Sequence, residues 1–530
     1  MLQTHRSYRG MVTAPHHLAA QAGLRVLEDG GNAIEAIVAA AAAITVVYPH
    51  MNALGGDNFW LIHVPGQNVT GIDACGASAR AADIDYYRER GFNSIPSRGP
   101  ISALTVAGAV SGWQEALKLS SKSLRGTLSL ARLLEDAIHF AEYGVAVTQT
   151  LASNAQAKLS ELKHLPGFRE NFQIAGTLVE EGERFKQPRI ANTLRRLVSN
   201  GLDDFYHGKL ALEIALDLEK MGSPLRLEDL QQHQARMVEP LTLRVSGHEV
   251  YNMPPPTQGL ASLMLLGVYE RLGVRQAETV EFVHSLVEAT KRAFQARDRY
   301  VTDPNYMDVC PSDFLDPGHL DDLAADIDPN IALPWPEPAL KGDTVWLGAV
   351  DRQGCAVSFI QSIYWEFGSG LVLDESGILW QNRGTSFSLD PKHHNCLKPG
   401  RRPFHTIQPA LAKLSDGRIM PYGTMGGEGQ PQTQAMIFSR HVLHGQGLQE
   451  SLTAPRWLLG RTWGAETSNL RIENRFDPSL VSGLRALGHD VEEINAYNEI
   501  MGHAGALVYH PNGLIEGASD PRGDGTAAGF

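Results

Sequence analysis

The sequence predicts an α+β protein, with helices layered on antiparallel hairpins and no doubly wound parallel sheet. Three observations carry this reading. Helical apolar spacing recurs through residues 127–230 and 279–300. Strand-type alternation recurs at 58–64, at 241–245 and beyond residue 344. The two strands that begin at Thr344 are separated by only four turn residues, so they form a hairpin. A chain of 530 residues allows two to four domains or one large sandwich.

The elements follow in order. His17 to Glu28 is helical and stops at Asp29-Gly30-Gly31-Asn32; a second helix runs from Ala33 to about Val47 and ends before Pro49. Its apolar, alanine-rich run from Ala36 to Tyr48 is too short for a membrane span of about 20 residues and reads as a packed core helix. Asn58 to Val64 is a strand entered through Leu54-Gly55-Gly56-Asp57. Helices are expected at Ala131–Tyr143, Ala191–Asn200 and Lys209–Met221. Leu241, Leu243 and Val245 alternate as a strand, and that segment continues through Tyr251 to the rigid turn Met253-Pro254-Pro255-Pro256. Thr279 to Tyr300 is the longest helix. Ile331 to Gly342 carries three prolines and reads as an exposed loop. From Thr344 to Pro431 the chain is expected to be strand-rich, with helices following at about Thr433–His444 and Pro478–Leu487.

Composition narrows the function. A formal charge of −13 argues against a general nucleic-acid or anionic-membrane binder, both of which need a basic face. The N-terminus lacks the apolar segment of a secretory signal, and Cys75, Cys310, Cys355 and Cys396 form neither a disulfide framework nor a zinc pattern, so a cytoplasmic protein is expected. No metal is assigned. His16-His17 opens a helix with its two side chains on different faces, and His393-His394 lies in a loop; solvent exposure accounts for both pairs.

The chemistry centres on Thr344. Val345, Leu347 and Ala349 alternate up to the turn Asp351-Arg352-Gln353-Gly354, and Ala356, Ser358 and Ile360 alternate back. Pairing Val350 with Cys355 places Thr344 opposite Gln361, one residue from Ser362. A threonine opening a strand usually serves β-propensity. It becomes a nucleophile when its own free α-amine acts as base, which requires the chain to be cut before it.

Eight segments then add up. They are Gly30-Gly31-Asn32-Ala33, Pro49-His50-Met51-Asn52-Ala53-Leu54-Gly55-Gly56, Met253-Pro254-Pro255-Pro256, Glu288-Ala289-Thr290-Lys291-Arg292-Ala293-Phe294, Asp343-Thr344, Phe367-Gly368-Ser369-Gly370, Met425-Gly426-Gly427 and Gly517-Ala518-Ser519-Asp520-Pro521-Arg522. In this order, along almost the whole chain, they resemble the γ-glutamyltransferase family of N-terminal-nucleophile hydrolases. The resemblance implies a four-layer αββα sandwich. It also implies self-cleavage between Asp343 and Thr344 into a large chain, 1–343, and a small chain, 344–530, intertwined in one unit. Thr344 is then nucleophile and, through its amine, general base. The amides of Gly426 and Gly427 form the oxyanion hole, where a lost donor typically costs about 3 kcal/mol of barrier, and Ser362 is the second hydroxyl that holds the nucleophile. No cofactor is implied, and a dimer of cleaved units is expected.

The chain departs from that family where glutamate would be gripped. The carboxylate-binding arginine falls on Cys75, an asparagine on Tyr364, the acid that pairs with the α-amine on Ser386, a glutamine on Arg383, and a Ser-Ser pair on His405-Thr406. The lid segment, here about Leu389 to Arg402, is short. With no acid to meet an ammonium, the substrate is expected to lack an α-amine. Arg383 could fork onto a small carboxylate, and His405 could donate to the same anion. The pattern is most similar to the family's oxamate amidohydrolase branch, which implies hydrolysis of oxamate to oxalate and ammonia in bacterial urate and purine breakdown. Two alternatives remain: a γ-glutamyl hydrolase, transferase or glutaryl-type acylase, and an uncleaved, non-catalytic binding relative.

Overall fold

The computed structural model describes residues 3–174, 176–335, 343–460 and 468–530. Two antiparallel sheets of seven strands each stack face to face, with helices on both outer surfaces. The first sheet runs, edge to edge, through Thr526–Gly529, Gly10–Ala14, Asp343–Asp351, Ala356–Tyr364, Asp57–His63, Thr70–Ala74 and Arg236–Val238. The second runs through His5–Ser7, Ile515–Ser519, Ala504–Tyr509, Ile419–Thr424, Ala410–Lys413, His248–Asn252 and Leu241–Val245.

The period of two decides which side chain meets which layer. Val345, Leu347 and Ala349 join the core beneath helices His17–Glu28 and Ala33–Val47. Trp346 and Val350 face the other sheet and pack with Phe59, Leu61, Leu411 and Leu507. The outer surface of the second sheet is covered by Gly259–Arg271 and Val280–Tyr300. Trp346 fits between the sheets because Gly348, Gly423 and Gly505 surround its ring: a Cβ on Gly423 would lie 2.2 Å from Trp346 Cδ1. Its indole N–H donates to Ser358 Oγ at 2.9 Å.

The helix starts are equally specified. Asn32 caps Ala33–Val47 by accepting from Ile34 and Glu35 amides, while Glu35 reaches back to the Asn32 N–H at 3.0 Å, a capping box. Every residue of that helix is buried, as its small side chains require.

Several expectations shift. The hairpin register is Val350 opposite Ala356 and Val345 opposite Gln361, not Val350 opposite Cys355. Asp351 is the cause: its side chain accepts from the Gln353 and Cys355 amides, and its own N–H donates to the Cys355 carbonyl, so the turn holds one residue more. Residues 365–409 are mostly loop with one 3-10 turn at Arg383–Ser386, not strand, because their apolar residues plug gaps between layers without alternating. The first helix of the late pair begins earlier, at Gly429. His16 is buried, not exposed; its Nδ1 caps the first helix by accepting from Leu18. In the proline-rich loop Ala332 is buried and Trp335 is partly buried, while residues 336–342 lie outside the described residues. Among the described residues no helix is long and apolar enough to cross a membrane.

Candidate active site

The hairpin, the neighbouring Asp57–His63 strand and the end of Ile419–Thr424 meet at one end of the sandwich. Asp343 pairs with Tyr364, and a bulge separates that pair from Val345–Gln361. Thr344 lies in the bulge and is buried, beside Ser362 and not opposite Gln361. A bulge re-aims side chains at the end of a ladder, which suits a residue that must reach out of the sheet. Ser362 in turn faces Asp57 on the next strand.

Sequence reasoning missed Gln430. Its Nε2 donates to Thr344 Oγ1 at 3.4 Å, and its Oε1 is held by the Gln408 N–H at 3.1 Å, which orients the amide. The available signal was the glutamines in a helix, Gly429–Phe438, with no polar face; all of that helix is buried.

Gly426 and Gly427 form the turn before this helix, with φ of 117° and 53°, values in the left-handed half of φ that favour glycine. A trans peptide points its N–H opposite its C=O. Thr424 Oγ1 donates to the Met425 carbonyl at 2.7 Å, and Gly429 N–H donates to the Gly426 carbonyl at 2.8 Å. Those two bonds fix the directions of the Gly426 and Gly427 amides. Behind them Gln258 Nε2 donates to the Gly427 carbonyl, Arg297 donates to Gln258 Oε1 at 3.0 Å, and Arg297 also pairs with Glu428 at 2.8 Å.

Arg383 is fully buried. It stacks 3.8 Å above the Tyr364 ring and donates to Thr406 Oγ1 at 3.1 Å and to Ser362 Oγ at 3.4 Å. No carboxylate pairs with it directly among the described residues, and its Nε has no partner there. Burial lowers its pKa to about 10, so the guanidinium stays charged near neutrality. Tyr364 holds a left-handed backbone, φ 81°, a strained setting for an aromatic residue that supports this stack.

His405 does not point at Thr344. Its Nε2 lies 3.1 Å from Asp57 Oδ2, and burial keeps the imidazole neutral. Asp57 was not among the expected site residues. Its Oδ1 accepts from Gly76 and Gly108 amides, and burial pushes its pKa up to about 7 against the pull of those bonds and of Arg383. The expectation of a site without acid is therefore corrected: an acid is present. Sequence reading missed it because Asp57 reads as part of a Gly-Gly-Asp turn until strand pairing sets it opposite Ser362. With Gly76, Gly108 and His405 on its oxygens, Asp57 is committed to holding the scaffold and not to clamping an ammonium.

Cys75 is buried near enough to Arg383 to act on its charge, and Ser386 is buried at the end of the Arg383–Ser386 turn. Burial raises the Cys75 thiol well above its ordinary value, so it stays protonated and inert. Cys75 lines a cavity of about 350 Å³ with Ser78, Arg80, His233, Arg236 and Arg402. Arg402 is paired with Asp73 at 2.6 Å and Asp303 at 3.0 Å, whereas the guanidinium groups of Arg80 and Arg236 form no ion pair among the described residues; the Arg80 N–H donates to Asp229. Residues 389–402, expected to form a lid, are stapled to the cavity wall: Ser78 Oγ donates to the Lys398 carbonyl and Gly400 N–H donates to the Ser78 carbonyl.

One buried group could ligate a metal by spacing: ligand atoms of His284, Glu288 and His489 lie within 4.8 Å of one another. They are engaged otherwise. The two imidazoles are 2.8 Å apart, His284 Nε2 meets the Asp328 carbonyl, and Glu288 accepts from Lys291 Nζ at 2.6 Å and from Leu333 N–H. A lysine ammonium on the carboxylate disfavours a cation there, and the group instead anchors residues 328–333.

A family model described as gamma-glutamyltranspeptidase matches residues 19–530. The oxamate amidohydrolase proenzyme of Klebsiella pneumoniae is 55% identical over 524 residues, covering 99% of each chain. The glutathione hydrolase-like YwrD proenzyme of Bacillus subtilis is 40% identical over 98% of each chain. Among solved structures, a cephalosporin acylase from Bacillus halodurans superposes with a TM-score of 0.91 at 34% identity, covering 100% of this chain and 97% of that one.

Proposed function

This chain belongs to the gamma-glutamyltranspeptidase family, and from that premise we propose that it is an N-terminal-threonine amidohydrolase acting on a small carboxylate amide without an α-amine, namely oxamate. The observation that carries the reading is Arg383: a buried guanidinium with no direct carboxylate partner among the described residues, hydrogen-bonded to Ser362 beside Thr344. A buried unpaired charge is costly, and a substrate carboxylate placed next to the scissile carbonyl would complete the pair. Oxamate has that carboxylate one bond from its amide carbon. The 55% identical Klebsiella relative carries that activity in its name, which supports the same choice.

The mechanism follows from the positions. Cleavage before Thr344 frees its α-amine, which takes the hydroxyl proton as Oγ1 attacks the amide carbon. The oxyanion forms toward the Gly426 and Gly427 amides, whose directions are fixed by their bonded carbonyls. Collapse releases ammonia and leaves an ester on Thr344. Water then hydrolyses that ester to oxalate, with the amine again as base. Gln430 and Ser362 hold the hydroxyl in line, and Arg383 with Thr406 holds the carboxylate. His405, through Asp57, positions the wall behind Arg383. Urate and purine breakdown, which the resemblance implies for this branch, is the corresponding source of substrate.

The test is a substrate comparison with the processed enzyme. Oxamate should be turned over with a far higher kcat/KM than γ-glutamyl-p-nitroanilide. Comparable rates on the two would reject the argument from Ser386 and Arg383 and favour a γ-glutamyl hydrolase.

A further inference from the structure

Beside the loops around Thr344, three histidines surround one tyrosine. The ring centroid of Tyr48 lies 4.3 Å from His50, 5.8 Å from His16 and 6.3 Å from His503, and all four side chains are buried. They come from three parts of the chain, yet each adjoins the loops around Thr344. The His503 carbonyl accepts from the Met425 N–H, one residue before the oxyanion turn, and Gly502 Cα is 3.5 Å from where a Gly426 Cβ would be. His16 follows the Gly10–Ala14 strand, which runs antiparallel to the nucleophile strand toward its Thr344 end. The His50 carbonyl accepts from Phe367, three residues beyond Tyr364. The 501–504 loop is held by Arg456 on the Gly502 carbonyl and by Asp520 on the Ala504 N–H.

These imidazoles carry several unpaired nitrogens close together. Both ring nitrogens of His50 and of His503, and Nε2 of His16, have no hydrogen-bond partner among the described residues. Buried polar atoms are nearly always paired, with ordered water where nothing else serves, so these five nitrogens can hold a small hydrogen-bonding molecule. Burial keeps all three rings neutral, so His50 and His503 each offer one lone pair and one N–H. His16 Nδ1 accepts from Leu18, which leaves its Nε2 as an N–H donor.

We propose that the His16–His50–His503 cluster is the leaving-group site, which takes the ammonia released when the amide is cleaved. The proposal rests on the amidohydrolase reading above. Ammonia matches the offered groups: its N–H bonds donate to imidazole lone pairs, and its own lone pair accepts from an imidazole N–H. When the C–N bond of the tetrahedral intermediate breaks, the nitrogen takes the proton held by the Thr344 amine and departs as neutral ammonia toward the cluster.

Two readouts on the processed enzyme test this, one of them independent of turnover. At alkaline pH, where free ammonia is present, ammonium chloride should inhibit hydrolysis in excess of potassium chloride at equal ionic strength. 15N-labelled ammonium should show saturable line broadening with the protein whether or not oxamate is the substrate. His50→Leu should weaken both effects by at least about tenfold, the loss expected for one strong hydrogen bond. His503→Gln, which keeps a polar group, serves if the first variant does not fold and should weaken them less. The inference is overturned if wild-type enzyme shows no saturable broadening, or if the broadening is unchanged in both variants. Saturable broadening together with no turnover of oxamate would reject only the substrate assignment.

Discussion

Arg383 carries the substrate assignment, so its removal is the sharpest single-residue test. Arg383→Ala should lower kcat/KM for oxamate by about 100-fold or more, as expected for a lost charge-assisted pair, while leaving processing intact. Steady-state kinetics and intact mass on the same sample check both halves. Asp57 adds a pH signature. Its folded pKa is raised to about 7, so below that value it is neutral and Arg383 is fully available to an anion. Above about 7 its charge competes for Arg383, and kcat/KM for an anionic amide should fall as pH rises; Asp57→Asn should flatten that limb. The linked stability has the same sign. Holding a proton on Asp57 favours the fold at low pH, and that contribution is lost as pH rises through about 7. In the sequence, strand alternation and motif order marked Thr344 and Ser362, and the place of a family glutamine marked Arg383; the structure puts the three side by side. Asp57 and Gln430 were not legible there, because only the pairing of distant strands and the packing of a buried helix bring them to the site.

At the level of elements, the hairpin that carries Thr344 depends on its turn. Asp351 accepts from the Gln353 and Cys355 amides within the turn and from the Ala33 N–H at the start of the neighbouring helix, each at 3.0 Å. Asp351→Ala orphans three buried or partly buried donors and should cost about 2–4 kcal/mol, read as a lowered denaturation midpoint. The same residue explains the one-residue error in the sequence-based register: counting alternation cannot see a side chain that lengthens a turn. Gly423→Ala tests the spacing of the sheets. Its Cβ would fall 2.2 Å from Trp346, so the indole must move and both stability and the alignment of Thr344 should suffer.

For the molecule as a whole, the layered α+β class was readable because outer-facing and inner-facing residues alternate cleanly, as at Val345–Val350. The order of strands was not, since Gly10–Ala14 lies between Asp343–Asp351 and Thr526–Gly529, hundreds of residues away in sequence. That order has a consequence for processing. A strand from the proposed large chain sits between two from the small chain, so cleavage before Thr344 should yield two fragments that co-elute on a native column and separate only in denaturant. Separation under native conditions would contradict the intertwined sandwich.

The most direct measurement is ammonia release from oxamate by the purified, processed protein, with Thr344→Ala as the comparison. The account predicts steady release by the wild type, which mass analysis shows as two fragments beginning at residues 1 and 344, and none by the variant, which stays a single chain. Release that persists undiminished in Thr344→Ala, or no release from a wild type shown to be processed, would contradict it.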